Sequence, residues 1–190
     1  IVVEDEGFYT EPAFDWKGIV RAVYINLTRG EVIQGGSTIT QQYIKNAILS
    51  PKRSIARKIK EVILAWELEF IYSKDEILTL YLNEIPYGGT IYGLEAASQA
   101  YYGKSVKEGL TLAQIATLSA IPQRPTYFSP YGTHVSALIS RKNLVLDDMV
   151  KTGAITKEEA ETAKKEAPLE AKDFARPKEN FPAPHFVMYV

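Results

Sequence analysis

The sequence predicts a mainly α-helical fold, and three observations carry that prediction. Apolar residues recur at helical spacing in two long segments, hydroxyl-led capping boxes open three more, and strand-like alternation is scarce. The chain has 190 residues and is 46% hydrophobic, which suffices for one substantial core.

In residues 15–29 the apolar positions Ile19, Val20, Val23 and Leu27 fall on one helical face, with Asp15 placed to cap the start and Gly30 the end. The run Gln34-Gly35-Gly36-Ser37-Thr38-Ile39-Thr40-Gln41-Gln42 sets a glycine pair before a polar helix start, with Thr38 and Gln41 at capping-box spacing. Over residues 54–72, Ile55, Ile59, Val62, Ile63, Trp66 and Phe70 form an apolar stripe that leaves Arg57, Lys58, Lys60, Glu61 and Glu67 on other faces. Ser73 with Glu76, Thr111 with Gln114 and Thr156 with Glu159 predict three further helix starts. A proline-bracketed loop follows at residues 121–125, then a helix over 136–151 that stops at Gly153. After Ala167, Pro168, Pro177, Pro182 and Pro184 stand among charges, so residues 1–166 read as a domain and 167–190 as a linker.

The net charge of -1 argues against a surface committed to nucleic acid, and none is expected as a partner. With no cysteine there is neither a disulfide framework nor a thiolate metal site, and the two histidines, His134 and His185, leave little for an imidazole one. No apolar run approaches the roughly 18 residues of a membrane span. The chain opens without Met and closes on the apolar stretch 186–190, so it is expected to be part of a longer protein, with an anchoring helix upstream.

Three groups of residues can carry chemistry. Glu4 and Asp5 are adjacent carboxylates between Val2, Val3 and Phe8, either an acidic turn or a base tuned by an apolar pocket. The glycine pair leads into a helix N-terminus, either an ordinary capped turn or a seat for an anionic group; it lacks the Gly-Lys-Ser/Thr ending of a Walker loop. Lys45, Lys52, Arg53, Arg57, Lys58 and Lys60 form a cationic set with Glu61 one turn beyond Arg57 and Lys58. Exposed salt bridges account for that pattern, and so does a diphosphate held by Lys45, Arg53 and Lys58 with Glu61 orienting a base or a metal.

Their order adds what each lacks alone. Glu4-Asp5-x-x-Phe8, then Gly36-Ser37-Thr38-Ile39-Thr40-Gln41-Gln42 with Lys45 and Asn46, then Arg57-Lys58-x-x-Glu61, resembles the peptidoglycan glycosyltransferase domain of class A penicillin-binding proteins and their monofunctional relatives. Lys74-x-x-Ile77-Leu78-x-x-Tyr81-Leu82-Asn83 with Gly88, Gly93 and Tyr102-Gly103-Lys104 is similar to that family's fourth motif, and Leu110-Thr111-Leu112-Ala113-Gln114 through Pro122 and Pro125 to its fifth. The first motif departs from the family at Glu11 and Ala13, where a histidine and a glycine are usual, and Thr79 and Gln114 replace common glutamates.

The resemblance implies a lysozyme-like helical lobe with a smaller, membrane-facing jaw; residues after Phe14, such as Trp16 and Val23, are read as helix core ahead of the alternative that they belong to its apolar surface. It implies an inverting glycosyltransferase that joins lipid II to a growing lipid-linked glycan through β-1,4 links and releases polyprenyl diphosphate. Carried over by position, Glu4 is the general base, Glu61 a second carboxylate, and Lys45, Arg53 and Lys58 stabilise the leaving diphosphate. Asp5, Phe8, Gly36, Ser37, Thr38, Gln41, Gln42, Asn46 and Arg57 complete the expected substrate contacts. A divalent metal (Mg or Mn) at Glu61 is expected to assist, and no organic cofactor. The expected setting is the extracytoplasmic face of the bacterial cytoplasmic membrane, with the membrane surface and a transpeptidase domain of the same chain as partners. A lysozyme-like glycan-cleaving enzyme and an inert lipid-diphosphate-binding module are the alternatives.

Overall fold

The computed structural model describes residues 1, 4–11, 37–49 and 54–166, and over these the chain is mainly helical. The helix expected at 15–29, Gly35, Gly36, Lys52, Arg53 and the linker 167–190 lie outside the described residues.

Local chemistry sets most of the helix starts. α1 (Ile39–Ala47) begins at Thr38, whose hydroxyl accepts from the Gln41 amide at 3.2 Å. Its first amide, on Ile39, donates to Asp5 Oδ2 at 2.9 Å, so the 4–11 segment supplies a second cap. α2 (Ile55–Ile71) starts from Ser54, which accepts from the Arg57 amide. The three capping boxes read from the sequence are all formed, at the starts of α3 (Lys74–Glu84), α5 (Leu112–Ala120) and α7 (Lys157–Lys165). α4 (Leu94–Tyr102) ends at Gly103 in the left-handed conformation. α6 (Val135–Lys151) falls where the helix over 136–151 was predicted.

Among the described residues strand content is limited to one hairpin, β1 (Pro86–Gly88) with β2 (Ile91–Tyr92), antiparallel and irregular in register. Segments this short leave no alternating pattern to read.

α5 packs along α6 and α1 along both α2 and α3. The core between them gathers Ile39, Ile77, Tyr81, Tyr87, Tyr101, Leu118, Ile121, Leu138 and Leu146. Ala113, Ala116 and Ala120 present only methyl groups on the buried side of α5, which lets α6 approach. The buried Tyr101 hydroxyl donates to the Tyr87 carbonyl at 2.6 Å, so hairpin and α4 are pinned inside the core by a satisfied polar contact.

The burial of α2 departs from its apolar stripe. Ile59, Ile63, Trp66 and Phe70 are exposed, Phe70 at 75%, while Val62 and Ala65 are buried and the carboxylate of Glu61 is buried with them. α1 packs on the side of α2 that carries Val62, Ala65 and Glu61, and Ile44 of α1 forms a small apolar cluster with Ala65.

Gly93 tests the register of the hairpin against α3. Its φ of +85° and ψ of 148° belong to a region only glycine occupies readily, and a Cβ there would stand 2.7 Å from the Asn83 carbonyl oxygen. Gly93→Ala should lower unfolding free energy by about 2 kcal/mol or more in urea titrations. An unchanged midpoint would place the hairpin elsewhere.

Candidate active site

The 4–11 segment is folded into consecutive turns, with the Glu4 and Asp5 amides both donating to the Ile1 carbonyl and the Glu11 amide to Gly7. Four contacts moor it to the helices. Phe8 is 1% exposed in the core, Asp5 caps α1, Tyr9 donates to Asp75 at 2.8 Å, and Lys74 Nζ donates to the Glu11 carbonyl at 3.0 Å. Lys74 also pairs with Glu69 at 2.7 Å and lies 5.0 Å above the Phe8 ring. Glu69 in turn accepts from the buried Thr40 hydroxyl at 2.7 Å.

Glu4 emerges from this moored segment beside α1. Its Oε2 accepts from Gln42 Nε2 at 3.2 Å, and Gln42 Oε1 accepts from the Tyr81 hydroxyl at 3.3 Å. Burial first, and then the charge of Glu4, push the Tyr81 phenol far above its ordinary value, so it remains a donor to Gln42. On the other side, Arg141 Nη2 of α6 stands 3.9 Å from Glu4 Oε1.

A cationic centre forms across α1 from this carboxylate. Lys58 Nζ donates to Ser37 Oγ at 2.9 Å, to Gln41 Oε1 at 3.0 Å and to Glu61 Oε1 at 2.5 Å. Arg57 Nη1 lies 3.6 Å from Glu61 Oε2. Glu61 is 1% exposed, so it presents no oxygen to a ligand and acts by holding two cations, whereas the Lys58 side chain is 44% exposed. Ser37 joins the two centres: its hydroxyl serves Lys58 and its carbonyl accepts from Gln42 at 3.4 Å.

The expected site residues therefore fall into three groups. Glu4, Ser37, Gln41, Gln42, Arg57, Lys58 and Glu61 come together around α1, with Lys45 and Asn46 exposed on its last turn. Asp5, Thr38 and Phe8 support the site from beneath. Phe8, expected among the substrate contacts, is 1% exposed and packed in the core. Gly36 and Arg53 lie outside the described residues.

Arg141, Glu69 and the Tyr81 hydroxyl were given no site role by sequence reasoning. The signal for Arg141 was present: on α6 it falls in helical register with the buried Leu138 and Val145, where an apolar side chain is the rule.

A divalent ion does not fit the donor set at Glu61. Both carboxylate oxygens face cations, and among the described residues no three acidic or histidine side chains gather to hold a metal.

Burial raises the Asp5 carboxyl above its ordinary range, opposed by the Ile39 hydrogen bond and by Lys74. The folded state therefore keeps the proton longer than the unfolded chain. Stability contributed by this group falls as pH rises from the ordinary carboxylate value through the folded one, and levels off above it. Asp5→Asn keeps an acceptor for the Ile39 amide and should remove that slope at little cost, whereas Asp5→Ala should remove the slope and also lose the cap, at a cost of about 1 kcal/mol relative to Asp5→Asn. Urea unfolding at about pH 4 and about pH 7 separates these outcomes.

A family model described as Transglycosylase matches residues 1–150. Penicillin-binding protein 1A of Aquifex aeolicus is 44% identical over 163 residues, which are 86% of this chain and 22% of that protein. Its Escherichia coli counterpart is 43% identical over 167 residues, 88% of this chain and 19% of the relative. Penicillin-binding protein 1F of Bacillus subtilis is 44% identical over 163 residues, 86% of this chain and 22% of its own. A crystal structure of penicillin-binding protein 1A from Haemophilus influenzae aligns with a TM-score of 0.47 at 30% identity, over 68% of this chain and 16% of that one. The chain thus spans about a fifth of the length of these relatives.

Proposed function

The chain belongs to the transglycosylase family, and from that premise we propose that it polymerises lipid II into β-1,4-linked glycan strands with inversion, releasing polyprenyl diphosphate. The observation that carries the reading is the pairing of an accessible carboxylate with a cationic centre on either side of one helix start. A glycan-cleaving enzyme needs the carboxylate alone, and an inert diphosphate binder needs only the cations.

In this reading Glu4 takes the proton of the acceptor sugar 4-hydroxyl as that oxygen attacks the anomeric carbon of the growing strand. Gln42 and Tyr81 hold the carboxylate from one side and leave lone pairs for the incoming hydroxyl. The bond to diphosphate breaks as the glycosidic bond forms, and the negative charge that develops falls to Lys58, with Lys45, Arg53 and Arg57 as further cations. Glu61 keeps Lys58 aimed by sharing its ammonium with Ser37 and Gln41. Ser37 and Asn46 are polar partners for sugar or phosphate. No step is routed through a metal ion, because the residues around Glu61 do not fit one.

The substrate's polyprenyl chain calls for a site at a membrane surface. The outward stripe Ile59, Ile63, Trp66 and Phe70 on α2 supports that placement, with Trp66 and Phe70 packed edge to face at 4.9 Å. We place the domain on the extracytoplasmic face of the bacterial cytoplasmic membrane, in a full-length chain that also carries a transpeptidase domain, as the names and lengths of its relatives suggest.

Glu4→Gln should lower lipid II polymerisation by roughly 100-fold or more while leaving binding of a lipid-diphosphate ligand within about twofold. Product length on a gel and ligand binding by fluorescence are the two readouts. Undiminished polymerisation would remove Glu4 from the mechanism, and shortening of preformed glycan without polymerisation would favour the hydrolase.

A further inference from the structure

Arg141 is costly where it stands. Its side chain is 15% exposed, and Nε is buried with no hydrogen-bond partner among the described residues. It shares the inward side of α6 with Leu138 and Val145, which are buried in the core. A guanidinium taken out of water loses hydration that a well-placed anion and further hydrogen bonds must return. Among the described residues the anion within reach is Glu4, at 3.9 Å from Nη2, and the neighbouring Lys142 is turned elsewhere, donating to the Ala163 carbonyl at the end of α7.

The two oxygens of Glu4 are thus held differently. Oε2 accepts a hydrogen bond from Gln42, whose other end is fixed by Tyr81, while Oε1 faces a charge at 3.9 Å, beyond direct hydrogen-bond length. One oxygen is oriented by geometry and the other by field. Without the charge on its far side, the carboxylate can turn about its terminal torsion, which is broad and soft.

We propose that Arg141 is a positioning residue for Glu4, fixing the carboxylate plane so that one lone pair of Oε1 stays directed at the acceptor hydroxyl. The inference rests on the reading of Glu4 as the base. It adds a residue from α6, in a part of the sequence remote from the rest of the site, and assigns it an effect on turnover with no contact to substrate.

The test uses initial rates of lipid II polymerisation by wild type, Arg141→Met, Arg141→Lys and Glu4→Gln, with thermal midpoints for each. Met keeps the apolar stem and removes the charge; Lys keeps the charge and removes the fork. Arg141→Met should lower kcat by about 10- to 100-fold with KM within about twofold, and Arg141→Lys should recover most of the loss. Wild-type kcat in Arg141→Met would overturn the inference, as would equal losses in both Arg141 variants. If Glu4→Gln is inactive while Arg141→Met is not, the positioning role fails and the base assignment stands; an active Glu4→Gln removes both. Should Arg141→Met prove too unstable to assay, the double variant Glu4→Gln/Arg141→Met decides. Recovery of the thermal midpoint on removing both charges supports the pair, and no recovery overturns it.

Discussion

The amide of Ile39 donates to the Asp5 carboxylate at the first turn of α1, and the arrangement of the site follows from that bond. It joins a segment near the start of the chain to a helix that also carries Gln41 and Gln42. With Asp5 fixed, the adjacent Glu4 meets Gln42; with α1 fixed, Ser37 and Gln41 meet Lys58 of α2. Asp5 is itself partly desolvated, so the bond is made against a burial penalty that an exposed cap would not incur. Lys74 and Phe8 secure the same segment at its other end.

Two charged centres of opposite sign are kept within one small region without collapsing onto each other. Lys58 is satisfied by Glu61, Ser37 and Gln41, so it has no need to reach for Glu4. Glu61 is buried between two cations and leaves net positive charge on the outer face. The polar groups between the centres are a serine and two amides, which relay orientation and carry no charge that would neutralise either side. Such a preorganised field costs no rearrangement when charge moves during a reaction.

Helix starts were legible in the sequence because capping is local: Ser73, Thr111 and Thr156 each find their partner three residues on, whatever the rest of the chain does. The company of Glu4, Lys58 and Glu61 was legible through their order and its likeness to known motifs. What periodicity could not show was which side of α2 faces inward. The rule that apolar stripes are buried points to Ile59, Ile63, Trp66 and Phe70, yet α1 packs where Glu61 and Ala65 lie. For Arg141 the register with Leu138 and Val145 marked the inward side of α6, but an arginine on a helix is ordinarily solvated, and its partner Glu4 is set by tertiary packing. The hairpin at Pro86–Gly88 escaped because its strands are shorter than the pattern that announces strands.

One helix, α2, carries Lys58 near its start and an outward apolar row that ends at Phe70. At 1.5 Å per residue, Lys58 and Phe70 are about 18 Å apart along the axis. A substrate with a charged head and a hydrocarbon tail meets both properties on a single rigid rod. On the proposed function, the rod would work as a depth gauge: how far the apolar row sinks into a lipid layer would set the height at which the ammonium waits for the diphosphate. Lipid thickness and head-group packing would then tune the alignment of reacting groups without touching any of them.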